Sequence, residues 1–346
     1  MAGGVSTPEL VAAVADAGGL GFLAAGYKTP GAVRDQVDAV RTATGAPFGV
    51  NVLVPGGDEF TTDEGRSELE RYRVALVSTA AQYGIVPGSA SYDDDHWAEK
   101  LEVLAGAGVP YVSFTFGCPD TVTVARLREA GSRVIVTVTS PPEAAIAAAA
   151  GADAVCVQGP EAGGHRASFT NEPEAEADTG LLALLTAVRT EVDLPVMAAG
   201  GIVDGRGVAA VLAAGACAAQ IGTGLLRTPE SGARPVHKDA LADPAFTTTS
   251  VTRAFSGRPA RGLTNRFMLD FGTKAPAAYP HVNNATRPVR AAAAGAGDTG
   301  LMSLWAGQGY RLAENLPTAQ LVRRWAGEAR EALSAVSREW PATAQT

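Results

Sequence analysis

The stretch VQGPEAGGHR, residues 157–166, places a histidine directly after two glycines and shortly after an apolar run. Histidine titrates closest to neutral pH of all side chains, so His165 can act as a general base or as a hydrogen-bond donor. Gly163 and Gly164 have no side chain, which allows the main chain to lie flat against a bound molecule. We therefore predict that His165 is catalytic and faces a ligand, the alternative being a solvated loop histidine.

Two glycine-containing loops, PVMAAGGIVDGRG at 195–207 and QIGTGLL at 220–226, follow consecutive apolar runs. Successive main-chain N–H groups at glycines form a concave anion site. Loops after the last two strands of a βα barrel are the usual phosphate pocket of that fold. The pair of loops predicts a phosphate site, although these glycines could instead only permit tight turns. The residues concerned are Gly200, Gly201, Gly222, Thr223 and Gly224.

Two amide side chains lie within or at the end of apolar runs. Asn51 lies inside PFGVNVLVP, and Gln158 ends the run that precedes the His165 loop. A buried amide must find hydrogen-bond partners. Both are candidates for contacting a ligand, although either could simply bond a neighbouring main chain.

Other reactive residue types show no catalytic spacing. His96, His237 and His281 lie in polar contexts without a partner, so we expect them to be non-catalytic. Histidines, cysteines and carboxylates do not occur at metal-ligand spacings, and neither a GxSxG nor a P-loop motif is present. We expect no metal site. The three cysteines, Cys118, Cys156 and Cys217, are far apart and are predicted to be reduced packing residues.

Composition and charge restrict the partners. The 346 residues include 28 Lys and Arg against 36 Asp and Glu, for a net charge of −8, and the isoelectric point is near 5.1. Such a balance offers no basic face for nucleic acid or for an anionic membrane surface. No apolar run approaches the roughly 18 to 20 residues of a spanning helix, and no signal segment opens the chain. We expect a cytoplasmic protein with a small-molecule partner and make no prediction of its oligomeric state.

A short repeat identifies the elements that position these residues. In each copy a helix ends at Ala-Gly and an apolar strand follows, which is typical of parallel βα units covered on both faces. Five copies of this repeat and two further apolar runs, at 48–54 and 195–199, together predict seven strands, at 20–25, 48–54, 111–116, 133–139, 154–158, 195–199 and 218–222.

Seven such units suit a (β/α)₈ TIM barrel of the α/β class that lacks its first strand, since the chain opens directly with a loop and a helix capped by Thr7 with Pro8 in its first turn. We predict this barrel over 1–224 and a cap with C-terminal helices over 225–346. The alternative is an open doubly wound sheet, which would also accommodate seven strands.

Five segments, in this order, resemble the nitronate monooxygenase family, also called 2-nitropropane dioxygenases, whose members are FMN-dependent TIM-barrel enzymes. They are MAGGVSTPELVAAVADAGGLGFLAAGY, PFGVNVLVP, VQGPEAGGHR, PVMAAGGI and QIGTGLL. The later segments TRAFSGRPARGLTNRF and SLWAGQG are similar to bacterial members, so the resemblance covers nearly the whole chain. In that family an apolar strand precedes the segment matched by residues 1–5, which agrees with the missing strand.

The resemblance implies FMN as cofactor and a role for each matching residue. His165 matches the active-site histidine of the family, and it would bind the nitro oxygens of a nitronate or act as base toward a neutral nitroalkane. The residues that would bind FMN are Asn51, Gln158, Gly163, Gly164, Gly200, Gly201, Gln220, Ile221, Gly222 and Thr223. The implied reaction is oxidation of an alkyl nitronate, such as propionate 3-nitronate, by O₂ to a carbonyl compound and nitrogen oxides.

Two other readings remain open. NAD(P)H-dependent quinone reductases and FMN-dependent enoyl reductases share the barrel and the EAGGH type of loop, and the tail motifs favour the monooxygenase over them. A non-catalytic flavin- or phosphate-binding protein is a reading from a different class, and the intact His165 loop argues against it.

Overall fold

The computed structural model describes residues 1–172 and 179–339. The strands are β1 (Phe22–Ala24), β2 (Gly49–Leu53), β3 (Tyr111–Thr115), β4 (Arg133–Val138), β5 (Ala154–Gln158), β6 (Gly164–His165), β7 (Val196–Ala199), β8 (Ala218–Gln220), β9 (Thr249–Thr252) and β10 (Ala260–Leu263). The helices are α1 (Pro8–Asp16), α2 (Pro30–Ala43), α3 (Asp63–Ala75), α4 (Val77–Ala81), α5 (Trp97–Ala107), α6 (Thr121–Glu129), α7 (Pro141–Ala149), α8 (Leu181–Glu191), α9 (Gly205–Ala213), α10 (Pro235–Ala240), α11 (Arg266–Phe271), α12 (His281–Gly295) and α13 (Thr318–Glu339).

Seven strands of the described chain form one parallel sheet. Their order is β1-β2-β3-β4-β5-β7-β8, which follows the chain without a reversal. All seven predicted strands are confirmed, with differences of a few residues at their ends. A doubly wound sheet reverses its strand order at a switch point, so the observed order disfavours that alternative.

The two faces of the sheet pack against different partners because side chains alternate along a strand. Val134 and Val136 face the helices and belong to the large apolar core between helices and sheet. Ile135, between them, belongs to a small second cluster. That cluster also contains Phe22 from β1 and Met197 from β7. Since side chains from distant strands meet on one face, the sheet is curled around this inner cluster.

The ends of the helices follow the sequence signals. Thr7 caps α1 by accepting a hydrogen bond from the N–H of Leu10 at 3.0 Å, and Asp204 caps α9 in the same way through Gly207 at 2.7 Å. Gly131 and Gly151, which follow α6 and α7, both have φ of +90°, a conformation that strongly favours glycine. The helix, glycine, strand repeat is therefore confirmed.

The chain after β8 divides between two positions. Most of it, from Leu226 to Tyr310, builds a separate apolar core together with Leu69 and Tyr72 of α3. Helix α13 instead packs beside α9 and α1 in the helical layer. The predicted division at residue 224 stays a prediction, and residues 340–346 of its second part lie outside the described chain. None of the described helices combines the length and apolar character needed to span a membrane.

Candidate active site

The predicted ligand residues lie in or directly after strands of one parallel sheet, and the loops among them share the edge at which the carboxyl ends of the strands meet. Asn51 lies in β2, Gln158 ends β5, and the glycine loops follow β7 and β8. The sheet therefore brings together segments that are far apart in sequence.

The His165 loop is held by a small antiparallel sheet. His165 and Gly164 form β6, which pairs with Ala260 and Arg261 of β10. The N–H of Arg166 donates to the carbonyl of Pro259 at 2.7 Å. Gly164 has φ of +78°, so a glycine is required where the chain enters the strand. The histidine predicted to be catalytic thus lies on regular structure.

Gln158 fixes the same loop through both ends of its amide. Its Nε2 donates to the carbonyl of His165 at 3.0 Å, and its Oε1 accepts from the N–H of Ala167 at 2.9 Å. Bonding to a neighbouring main chain was the alternative role that the sequence analysis gave for Gln158. A direct contact between Gln158 and a cofactor stays a prediction.

Aromatic side chains enclose His165. The ring centroids of Phe116, Tyr279 and Trp305 lie 5.6, 6.0 and 5.4 Å from that of the imidazole. Burial, with Arg258 and Arg290 as further causes, lowers the pKa of His165 from 6.5 to about 3. The imidazole is therefore neutral at ordinary pH.

Ser256 holds one nitrogen of the imidazole. Its Oγ lies 2.8 Å from His165 Nε2, and the serine is 1% exposed. The same Oγ lies 3.2 Å from the carbonyl oxygen of Arg258, to which it can donate. When it does so, it accepts from Nε2–H and Nδ1 is the unprotonated nitrogen; when it donates to Nε2 instead, Nδ1 carries the proton. Nδ1 makes no hydrogen bond to the described chain.

The sequence analysis did not identify Ser256, Arg258, Tyr279, Phe116 and Trp305 as site residues. Three of them lie in motifs that were quoted only for their family resemblance or noted as polar: Ser256 and Arg258 in TRAFSGRPARGLTNRF, and Trp305 in SLWAGQG. Phe116 has φ of +78° directly after β3, a strained position for a residue with a Cβ. Phe116 ends the predicted strand 111–116, whereas the other four lie after β8 in segments that carry no periodic signal.

The two glycine loops present free main-chain donors. Within residues 1–172 and 179–339, the N–H groups of Gly201, Gly222, Thr223 and Gly224 donate no hydrogen bond. Gly201 also has φ of +70°. Three successive free N–H groups after β8 form the kind of concave donor set that binds anions.

The main chain at Ala306 and Gly307 leaves no room for a side chain at Gly163. A Cβ there would lie 2.4 Å from the nitrogen of Gly307 and 2.5 Å from the carbonyl carbon of Ala306. The N–H of Gly307 in turn donates to Thr223 Oγ1 at 2.9 Å. The segment SLWAGQG therefore connects the His165 loop to the loop after β8. A contact of Gly163 with a cofactor stays a prediction.

Asn51 and Gln220 have partners within the sheet. The amide nitrogen of Asn51 donates to the hydroxyls of Ser113 and Thr115, both at 2.9 Å. Gln220 Oε1 lies 3.3 Å from Cys156 Sγ, and Ile221 packs at the edge of the large core. Their roles toward a cofactor stay predictions.

The remaining predicted non-catalytic residues lie apart from His165. His96 is exposed, His237 Nε2 lies 3.1 Å from the carbonyl oxygen of Trp305, and His281 Nε2 lies 3.2 Å from Asp58 Oδ1. All three cysteines are free. The described residues contain no cluster of side chains suited to a metal ion.

A curled parallel βα sheet with a fixed histidine at the carboxyl ends of its strands defines an α/β enzyme. Residues 1–327 match the family described as nitronate monooxygenase. The chain is 39% identical over 320 residues to a probable nitronate monooxygenase of Staphylococcus aureus strain JH9, covering 91% of this chain and 88% of that protein. The chain belongs to the nitronate monooxygenase family and is an oxidoreductase.

Two solved structures are similar. The nitroalkane oxidase of Streptomyces ansochromogenes is 52% identical with a TM-score of 0.94, covering 97% of this chain and 95% of that one. FabK of Thermotoga maritima is 29% identical with a TM-score of 0.74, covering 99% of this chain and 94% of that one. The prediction of the family from the sequence is confirmed.

Proposed function

We propose that this protein oxidises alkyl nitronates with O₂, using FMN bound at the carboxyl ends of the parallel strands. The observation that carries the proposal is His165, a neutral imidazole enclosed by three aromatic rings beside a set of free main-chain donors. The family and the similarity to the Streptomyces nitroalkane oxidase support it.

The residues present fit FMN. The free N–H groups of Gly222, Thr223 and Gly224 suit a phosphate, which needs several donors converging on one anion. Asn51, in the middle of β2, would contact the remainder of the cofactor. When bound, FMN would supply the electron-transfer chemistry that no side chain here provides.

His165 would orient the substrate through hydrogen bonding. A neutral imidazole carries no charge to attract an anion, but when Ser256 donates to Nε2, the Nδ1–H group can donate one hydrogen bond to a nitro oxygen, most strongly to the charged oxygens of a nitronate. A pKa near 3 also makes it a weak base, which disfavours removal of a proton from a neutral nitroalkane. Both points favour the nitronate, which needs no deprotonation. The aromatic rings would exclude water from this position.

The same proposal includes the type of barrel, the location of the protein and its partners. The curled sheet and the helical layer fit a (β/α)₈ type of barrel with the segment after β8 at its mouth. We further propose a cytoplasmic location and partners restricted to the small substrate and O₂.

The first test is an absorbance spectrum of the purified protein, recorded before and after anaerobic addition of propionate 3-nitronate. We expect flavin bands that respond to the nitronate without NAD(P)H, and O₂ uptake once air is admitted. His165→Asn should bind flavin equally and lower the rate on nitronate by about 10- to 100-fold.

Three other outcomes would each contradict a different part of the proposal. Bound flavin that is reduced by NAD(P)H and ignores nitronate would favour the quinone or enoyl reductase reading. Bound flavin that responds to neither would favour a non-catalytic binding protein. Undiminished turnover by His165→Asn would remove His165 from the catalytic residues.

A further inference from the structure

Two arginines of the segment after β8, the buried Arg258 and the half-buried Arg290, have no carboxylate partner within the described chain. Arg258 is 5% exposed, and neither Arg258 nor Arg290 forms an ion pair with any residue of the described chain. A buried guanidinium normally has an anionic partner, because removing its charge from water is costly. The missing counter-charge is what an anionic ligand would provide.

The guanidinium of Arg258 packs against Phe116, one of the rings around His165. Its guanidinium carbon lies 4.1 Å from the centroid of the Phe116 ring, which contacts His165 edge-on. Its hydrogen bonds go to main-chain carbonyls of the loop after His165, including that of Arg166 at 3.3 Å and that of Thr170 at 3.3 Å. Carbonyl oxygens are dipoles, so these bonds orient the guanidinium without neutralising its charge.

Arg290 lies on α12 and is linked by hydrogen bonds to the segment that contains Ser256. Its Nε donates to Thr286 Oγ1 at 3.1 Å, and its Nη2 donates to Asn283 Oδ1 at 2.7 Å. Thr286 in turn donates to the carbonyl of Phe255, the residue before Ser256. These partners are all neutral, and Nη1 of Arg290 donates to no atom of the described chain.

The nearby acids are engaged elsewhere. Asp95 pairs with the fully buried Lys100 at 2.7 Å. Glu143 accepts from Thr139 Oγ1 at 2.9 Å and from the N–H of Phe169 at 2.8 Å, forms no ion pair with Arg258, and so offsets the charge of that arginine only in part. Burial is the largest cause of the lowered pKa of His165, and the positive charges of Arg258 and Arg290 lower it further.

We propose that Arg258 and Arg290 supply the positive charge that makes the site beside His165 select the ionised nitronate over the neutral nitroalkane. The inference rests on the proposed function and assigns its substrate selectivity to two residues that do not need to touch the reacting atoms. In a site shielded from water, an uncompensated charge acts over several ångströms.

Arg290 is the better residue to change, because its hydrogen bonds stay within α12, whereas Arg258 also holds the His165 loop. We expect Arg290→Gln to lower kcat/KM for propane 2-nitronate by about tenfold. The value for neutral 2-nitropropane should change by less than about twofold, because a neutral molecule gains little from the charge. Arg290→Lys should preserve the ratio, since it keeps the charge.

The matched control is Arg287→Gln, on the same helix but exposed. It should leave both values unchanged, because solvent screens its charge. A second readout is binding of isobutyrate, an unreactive planar anion of similar size, measured by titration calorimetry on the holoenzyme. We expect Arg290→Gln to weaken isobutyrate binding by about tenfold and Arg287→Gln to leave it unaltered.

The results separate the two proposals. A wild-type enzyme without nitronate-dependent O₂ uptake contradicts the proposed function, and isobutyrate binding then still tests the anion site. An active wild type whose nitronate to nitroalkane ratio and isobutyrate affinity survive in Arg290→Gln would overturn the inference alone. Equal losses on both substrates would also overturn it, since they would indicate a structural role.

Discussion

Single hydrogen bonds decide what His165 presents to a substrate. The imidazole has two nitrogens, and Ser256 engages Nε2 from a position that is 1% exposed. A buried serine has few alternative rotamers that keep a partner, so its bond fixes the rotation of the ring and favours one tautomer. Ser256 is therefore a positioning residue that acts through His165.

Ser256→Ala should lower kcat/KM for nitronate by about fivefold, because one hydrogen bond of roughly 1 kcal/mol no longer holds the ring. The measurement is steady-state O₂ uptake, with flavin content and thermal stability recorded beside it. Ser250→Ala is the control, because Ser250 bonds Thr264 at 2.7 Å and not His165. A loss of rate matched by an equal loss in the control would contradict the positioning role.

At the scale of elements, the C-terminal helix α13 forms part of the helical layer around the sheet. Its Glu328 Oε2 accepts the N–H of Gly205 at 2.9 Å and thereby satisfies a free donor at the start of α9. The two helices approach so closely that a Cβ on Gly205 would lie 2.3 Å from Glu328 Cβ and 2.5 Å from the carbonyl oxygen of Trp325. This contact determines how α9, and the glycine loop before it, are positioned.

Gly205→Ala should destabilise the protein by about 3 kcal/mol, because the added methyl forces α13 away from α9. Gly327→Ala is the matched control on α13, where a Cβ would meet nothing within 4 Å. The control should stabilise the protein by about 0.5 kcal/mol, as alanine is the better helix former. Both values come from urea unfolding of the holoenzyme. Similar effects of the two substitutions would show that the close approach is not a constraint.

At the scale of the whole molecule, the separate core formed after β8 is joined to the active site by buried polar groups. His237 in α10 lies against the carbonyl of Trp305, whose ring contacts His165. Burial lowers the pKa of His237 from 6.5 to about 4, while the bond to Trp305 raises it in part. Folding therefore requires this histidine to stay neutral.

The consequence is a loss of stability in acid. Between the unfolded pKa of 6.5 and the folded value of about 4, the unfolded chain binds a proton that the folded chain does not, so stability falls as pH drops through this range. For His237 the loss between pH 7 and pH 5 is about 2 kcal/mol.

His237→Gln should remove that part of the pH dependence, since glutamine can still donate to the Trp305 carbonyl but does not titrate. Urea unfolding at the two pH values measures it. His96→Gln serves as the control, because His96 is exposed. An unchanged pH slope in His237→Gln would show that His237 contributes nothing to acid sensitivity.

The sequence by itself determined the local structure and the parts of the site that follow directly from strands. Apolar runs, five of them following Ala-Gly, predicted all seven strands of the parallel sheet, because a strand covered on both faces leaves a continuous signal. His165 and the two glycine loops were found in the same way. Parallel strands place their carboxyl ends at one edge, so no further information was needed to bring these loops together.

Only the tertiary structure decided which side chains surround His165. Ser256 is 91 residues from its partner, and Arg258, Tyr279 and Arg290 lie in or after irregular segments that carry no periodic signal. Their placement depends on how the segment after β8 folds back, which long-range packing sets and local propensity does not. The folded chain also shows that Gln158 holds the His165 loop by hydrogen bonds to its main chain. It shows that α13 packs beside α9, a contact between segments that are far apart in sequence.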